Sequence, residues 1–233
     1  LRGHHSATHL LHAALRDRLG DHVSQKGSLV APDRLRFDIS HPKAIGAEDI
    51  AEVTDHVNRQ IQGNSDVVTR LMTPDEAIET GAMALFGEKY GDEVRVVTMG
   101  DRGNAPYSVE LCGGTHVIRT GDIGPFRIVS ESAVAAGVRR IEAVTGRSAL
   151  AQMAETEAQM REVASLLNAS SGQVVERVAA LLEERKKLEN DLSDVRRKLA
   201  TGGGETGAGD AGVKDVAGVS FAGRVLEGIP GRE

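Results

Sequence analysis

The stretch Cys112-Gly113-Gly114-Thr115-His116 holds the only cysteine of the chain, followed by two glycines and a histidine. Glycine has no Cβ and allows a tight turn, so the thiolate and the imidazole can converge on one ion. A second pair, His5 and His9, lies four residues apart in a segment that predicts a helix, which puts both rings on one face. Neither pair is specific alone, but three imidazoles and one thiolate suit Zn²⁺. The sequence therefore predicts one metal site.

The composition excludes several classes of protein. Among 233 residues, 40% are apolar, which is enough for a core, and only 3% are aromatic. So few aromatic side chains argue against a protein that stacks single-stranded bases on a sheet. The net charge of −6 argues against a protein that binds nucleic acid through a generally basic surface. A single cysteine rules out an internal disulfide, and without a membrane-spanning run or signal peptide we expect a cytoplasmic protein.

Residues 1–147 mix helix and strand signals. Helices are predicted at 4–19, 47–62 and 73–86, and strands at 28–30, 35–39, 67–72, 94–99, 108–111, 126–129 and 140–144. Thr73 and Pro74 form a typical helix start, with an N-cap followed by proline. The helices and strands do not repeat as βαβ units. This order predicts an α+β fold with a mainly antiparallel sheet.

The rest of the chain consists of two segments that differ in composition. Residues 148–200 form helix readily, with apolar residues spaced by seven: Met153, Met160, Leu167, Val174, Leu181, Leu188 and Val195. Because 168–172 interrupt the pattern, we predict a long coiled-coil-like hairpin in which Leu181, Leu188 and Leu192 pack near Met160 and Leu167. Residues 201–233 predict a Gly-rich linker and the truncated start of a further domain. With no Met at position 1, we expect a piece of a longer protein.

Five motifs together resemble the editing domain of alanyl-tRNA synthetases. They are His5–His12, 25–28 (QKGS), 34–38 (RLRFD), 109–116 (VELCGGTH) and 137–142 (GVRRIE). A sixth stretch, 225–231, resembles the opening of that family's C-terminal domain. The resemblance implies three parts: a zinc-dependent editing domain at 1–147, a helical hairpin at 148–200, and a linker with a truncated domain at 201–233.

The resemblance also implies roles for individual residues. His5, His9, Cys112 and His116 match the zinc ligands, one ion per chain, and Gln25 matches a glutamine of the catalytic pocket. Thr8 is a candidate for facing the pocket. Arg139 and Arg140 are candidates for tRNA phosphates, although neighbouring strand residues face opposite sides and at most one is expected to make contact. Apart from the resemblance, His12 lies three residues after His9 and is a candidate for contacting a metal ligand without binding the metal itself.

The implied activity is hydrolysis of Ser-tRNA(Ala) and Gly-tRNA(Ala), with the acceptor end of tRNA(Ala) as partner and possible self-association through the C-terminal region. ATP and Mg²⁺ would belong only to an aminoacylation domain that this chain lacks. An alanine pocket rejects serine or glycine weakly, so a second hydrolytic site is needed. Two alternatives stay open: a free-standing trans-editing deacylase, and a catalytically silent, zinc-stabilised module for tRNA binding or oligomerisation.

Overall fold

The computed structural model describes residues 1–82, 91–202 and 213–222. The chain divides into two compact units, Leu1–Glu157 and Ala158–Glu233. The predicted metal ligands all belong to the first unit. The 225–231 motif and most of the predicted Gly-rich linker lie outside the described residues. The helix expected to run to about Phe86 is shorter than predicted and ends at Glu79.

The larger sheet of the first unit has four antiparallel strands. The strands are β1 (Gln25–Val30), β2 (Leu35–Ser40), β6 (Phe126–Ala135) and β7 (Val138–Thr145), in the spatial order β1-β2-β7-β6. Leu35, Phe37 and Ile39 alternate along β2 and are fully buried. This period of two directs one face of the sheet to the core.

Helices α1 (Arg2–Leu19) and α2 (Ala47–Gln62) supply the other half of this core. Val53, Val57 and Ile61 form the buried stripe of α2. Helix α1 is buried almost continuously from His4 to Leu15, including its polar side chains. A helix interior to a domain buries polar side chains only when they have partners. Those partners define the candidate site.

A second sheet has three antiparallel strands, β3 (Val68–Met72), β4 (Val94–Met99) and β5 (Ser108–Leu111), in that order. Helix α3 (Pro74–Glu79) lies between β3 and β4 in sequence and begins as expected. The Thr73 hydroxyl accepts the Glu76 N–H, and the Glu76 carboxylate accepts the Thr73 N–H, which completes a capping box. Strand β5 ends immediately before Cys112.

The α+β fold with antiparallel sheets is confirmed, and most elements begin within a few residues of their predicted positions. The hairpin of β6 and β7 is longer than expected. Its outer part is rich in Ser, Ala and Glu, which have low strand propensity, and it forms because the two strands pair with each other. Gly137, with φ 71°, makes the turn.

Two helices follow, α4 (Gly146–Leu166) and α5 (Val174–Gly202), joined by a short connection. The predicted seam between them is not packed: the exposed fractions are 45% for Met160, 39% for Leu181, 60% for Leu188 and 50% for Leu192. A spacing of seven shows that apolar residues share one helix face, but it does not identify what covers that face. Strands β8 (Val213–Val216) and β9 (Val219–Ala222) form a small antiparallel pair.

Within the described ranges, no helix is long and apolar enough to cross a membrane.

Candidate metal centre

The four predicted ligands converge. One ligand atom from each of His5, His9, Cys112 and His116 lies within 4.8 Å of the others. The Cys112 Sγ is 3.4 Å from the Nε2 of His5 and 3.4 Å from the Nε2 of His116. Zinc bonds of about 2.0–2.3 Å in a tetrahedron require ligand separations of roughly 3.3–3.7 Å. The donor set and these two distances therefore fit Zn²⁺.

Backbone geometry brings the two halves of the site together. Helix α1 presents His5 and His9 one turn apart. The Cys112 N–H donates to the Arg95 carbonyl at 2.9 Å, which continues the pairing of β4 with β5 one residue beyond the end of β5. The Gly114 N–H donates to the Cys112 sulfur at 3.4 Å. A Cβ on Gly114 would overlap the His5 ring, whereas a Cβ on Gly113 would meet nothing within 4 Å. Only Gly114 must therefore be a glycine for this turn to pack against the His5 ring.

Polar partners orient two of the imidazoles. The Nδ1 of His9 lies 2.7 Å from the Glu110 Oε2, and the Nδ1 of His116 lies 3.1 Å from the Ser6 hydroxyl, which also accepts the Val117 N–H. When each Nδ1 carries the hydrogen, each Nε2 keeps its lone pair for a metal. The His9 Nε2 is buried and has no hydrogen-bond partner among the described residues.

The electrostatics favour a thiolate ligand. Burial alone would raise the pKa of Cys112, but hydrogen bonds from His116 and His5 outweigh it and lower that pKa to about 3. Burial similarly opposes ionisation of Glu110, yet the His9 charge and the His12 hydrogen bond lower its pKa to about 2. Burial opposes the charged form of His9, but Glu110 raises its pKa to about 10. A metal would thus replace a proton on His9.

A cleft of about 780 Å³ opens beside these ligands, between α1 and β1. Thr8 and Gln25 line it together with His5, His9, His12, Glu110 and Cys112. Strand β1 has a bulge here: Gln25 pairs with Ile39 and Gly27 with Asp38, so Lys26 is an extra residue. A bulge re-aims side chains, and the consecutive residues Gln25 and Lys26 both line the cleft. The structure therefore brings Thr8 and Gln25 to the predicted ligands.

Arg139 and Arg140 are not among the described residues that line the cleft. Arg139 holds Glu131 through two contacts of 2.5 and 2.6 Å, and Arg140 holds Asp38 through two of 2.7 and 2.8 Å. Such paired contacts between a guanidinium and a carboxylate fix both side chains. Both arginines thus have structural partners inside the first unit.

Sequence reasoning missed the role of Glu110, which connects His9 to His12. The motif containing Glu110 was recognised, but no function was attached to this carboxylate. The alternation along β5 predicts the opposite, since Val109 and Leu111 are its apolar positions, yet Ser108 and Glu110 are the buried ones. A charged residue on the inward face of a strand requires a partner.

The chain is similar in sequence to known proteins of one kind. Residues 94–142, from β4 into β7, match the family model described as the threonyl and alanyl tRNA synthetase second additional domain. The whole chain is 63% identical to part of an alanine–tRNA ligase from Granulibacter bethesdensis. This chain is homologous to the alanine–tRNA ligases. Enzymes of the same name from Paramagnetospirillum magneticum and Rhizobium johnstonii are each 58% identical, over 100% and 98% of the chain.

The chain spans about a quarter of the length of these alanine–tRNA ligases, covering 26%, 25% and 26% of the three relatives. The match to the second additional domain contains Cys112 and His116 but not the helix with His5 and His9.

Proposed function

We propose that the first unit is a zinc-dependent deacylase that hydrolyses Ser-tRNA(Ala) and Gly-tRNA(Ala), and that the parent protein attaches alanine to tRNA(Ala) using ATP. One observation carries the proposal: the cleft lined by His5, His9 and Cys112 of the zinc-type donor set is also lined by Gln25 and Thr8. The similarity to alanine–tRNA ligases supports tRNA(Ala) as the partner, through its acceptor end.

A second site is needed for a physical reason. A pocket shaped for alanine excludes glycine poorly, since glycine is smaller, and one added hydroxyl changes binding by roughly 1–3 kcal/mol. Hydrolysis of the wrong ester in a separate cleft multiplies this modest discrimination. The cleft beside α1 has the polar lining that such a separate site requires.

The residues of the cleft have different roles in the proposed reaction. His5, His9, Cys112 and His116 would hold the ion, and a bound Zn²⁺ would supply a Lewis acid for the ester carbonyl or for water. Gln25, on the β1 bulge, donates and accepts hydrogen bonds that orient water or the ester. The Thr8 hydroxyl donates to the His4 carbonyl at 2.9 Å, so Thr8 contributes mainly shape to the wall.

The silent-module alternative has one observation in its favour. Four protein ligands fill a tetrahedral zinc centre, which is the usual pattern of a structural site, whereas catalytic sites keep one position open. The two functions give different results in one assay.

The assay follows ester loss from Ser-tRNA(Ala) and Ala-tRNA(Ala) with the zinc-loaded chain. We expect Ser-tRNA(Ala) to be hydrolysed much faster, and substitution of Gln25 by a bulky residue to slow this reaction while zinc stays bound. Gln62→Leu, at the end of α2 and outside the cleft lining, is the matched control and is expected to keep the full rate. With full zinc content, ester loss no faster than in buffer alone would favour the silent module instead, and equally accelerated loss of both esters would contradict the selectivity.

A further inference from the structure

Lys26 is an exposed residue of β1 that lines the cleft, and the bulge of this strand sets its position. The bulge places one more residue in β1 than in β2, since Gln25 pairs with Ile39 and Gly27 with Asp38. Lys26 is this extra residue and has no opposite residue in the pairing of the two strands. Bulges next to functional sites re-aim side chains, and here two consecutive residues, Gln25 and Lys26, line the same cleft.

The charge of Lys26 is not neutralised by a neighbouring side chain. Among the described residues, its ammonium has neither an ion pair nor a hydrogen bond. The guanidinium of Arg16, which also lines the cleft, instead donates to the Asp21 carboxylate at 2.9 Å and to the carbonyls of Asp21 and Val23 at 2.8 and 2.9 Å. The donors of Arg16 are thus used within the chain, whereas the ammonium of Lys26 can bind an anion from solution.

An aminoacyl-tRNA carries such an anion close to its ester bond. The ester is attached to the ribose of the terminal nucleotide, and the 5′ phosphodiester of that nucleotide is attached to the same ribose. An ester that lies beside Gln25 and the metal ligands therefore brings a phosphate to within one sugar of them. Lysine binds phosphate as a point charge at the end of a flexible four-carbon chain, and Lys26 directly follows Gln25.

We propose that Lys26 binds the 5′ phosphate of the terminal nucleotide and thereby positions the ester beside Gln25. This inference rests on the proposed function and names the part of the tRNA that the rim of the cleft holds. The net charge of −6 gives the chain no general attraction for RNA, so a phosphate contact here has to come from a local cation. Screening limits such a contact to about 8 Å at physiological salt, which makes the position of the cation decisive.

The decisive variant is Lys26→Met, which keeps an unbranched side chain of similar length and removes the charge. Lys26→Arg keeps the charge at the same position. Lys43→Met is the matched control, because Lys43 is exposed and is not among the described residues that line the cleft. The two methionine variants change the net charge equally, so a difference between them reports the position of the charge.

The measurement is calorimetric binding of two non-hydrolysable probes to the zinc-loaded chain. One probe is seryl-3′-amino-3′-deoxyadenosine, and the other is the same compound with a 5′-methylphosphate, a diester that carries one negative charge. We expect the unmodified chain to bind the phosphate probe about threefold to tenfold more tightly, as one partly exposed charged contact implies. Lys26→Met should bind the two probes equally, whereas Lys26→Arg and Lys43→Met should keep most of the difference.

Four results would overturn the inference. They are no preference for the phosphate probe in the unmodified chain, a preference that survives in Lys26→Met, an equal loss of preference in Lys43→Met, and a complete loss in Lys26→Arg. If Lys26→Met does not fold, Lys26→Gln is measured in its place, with the same expected result and the same outcomes against it.

Hydrolysis of Ser-tRNA(Ala), assayed separately, tests the proposed function. In an active chain, Lys26→Met should raise KM with kcat little changed, and it should reduce the slope of log(kcat/KM) against log salt by about 0.7–1. An unchanged slope overturns the role of Lys26 and leaves the deacylase intact. Absence of hydrolysis overturns the deacylase, while the preference between the probes still decides whether Lys26 binds a phosphate.

Discussion

At the scale of single residues, the ligand types and spacing were readable from the sequence, but the groups that orient the ligands were not. His5, His9, Cys112 and His116 stand out because their pairs have the spacing of a metal site. Glu110 and Ser6 act only through contacts between α1 and segments about a hundred residues away. No local sequence pattern predicts such contacts, because they depend on how the helices and strands pack.

The two adjacent glycines of the cysteine–histidine turn allow a matched test. Gly114→Ala should displace the His5 ring, since the new Cβ would overlap it, and should lower zinc content well below one ion per chain. Gly113→Ala, with open space at the same point, should retain the metal. Zinc measured on both purified variants by atomic emission checks this. Equal metal content in the two variants would refute the proposed placement of His5 against Gly114.

At the scale of elements, the β1 bulge lies beside an ion pair that the sequence could not assign. A Cβ on Gly27 would lie 3.2 Å from the Asp38 Oδ2, and Arg140 holds that carboxylate in place. Arg140, a candidate for tRNA contact from its motif, therefore supports the strand that carries Gln25. The difference arises because strand pairing sets Asp38 opposite Arg140, which only the register reveals.

The Asp38–Arg140 pair predicts a pH-dependent stability. The hydrogen bonds from Arg140 outweigh burial and lower the pKa of Asp38. A lowered folded-state pKa contributes stability above the unfolded value of about 3.9, and this contribution is lost as the pH falls through the folded value. Asp38→Asn should therefore reduce the free energy of unfolding at pH 7, with the deficit shrinking below about pH 4.

Urea unfolding of both chains between pH 2.5 and 7 measures the deficit. Asp33→Asn is the control, because Asp33 is 68% exposed and its pair with Arg34 is expected to contribute little. A deficit in Asp38→Asn that is constant across this pH range would contradict the assigned role of the ion pair.

Helix α5 gives the second test at this scale. Leu188 is 60% exposed, so Leu188→Ala should change the free energy of unfolding by about 0.5 kcal/mol or less. Leu11→Ala, in the fully buried part of α1, should cost about 2–5 kcal/mol. Thermal and urea unfolding compare the two variants. A loss above about 1 kcal/mol for Leu188→Ala would mean that this face of α5 is covered in solution.

At the scale of the whole molecule, the α+β class followed from the order of the segments, whereas the sheet order β1-β2-β7-β6 did not. The pairing of β2 with β7 joins residues about a hundred positions apart. Local patterns specify which segments are strands and which face is apolar, but not which strands become neighbours. The metal site also depends on long-range packing, since its two halves lie about a hundred residues apart in the first unit.

Metal removal should therefore affect the two units differently. All four ligands lie in Leu1–Glu157, so a bound metal stabilises that unit by an amount that grows with its occupancy, about 2.7 kcal/mol at a hundred times Kd. A strong chelator should lower the melting temperature of this unit and leave the helical melting of Ala158–Glu233 unchanged. Differential scanning calorimetry with circular dichroism at 222 nm resolves the two transitions. In Cys112→Ala, which lacks the thiolate, the chelator should produce a much smaller shift. Equal shifts of both transitions, or a full shift in Cys112→Ala, would contradict a metal held by these four residues within the first unit.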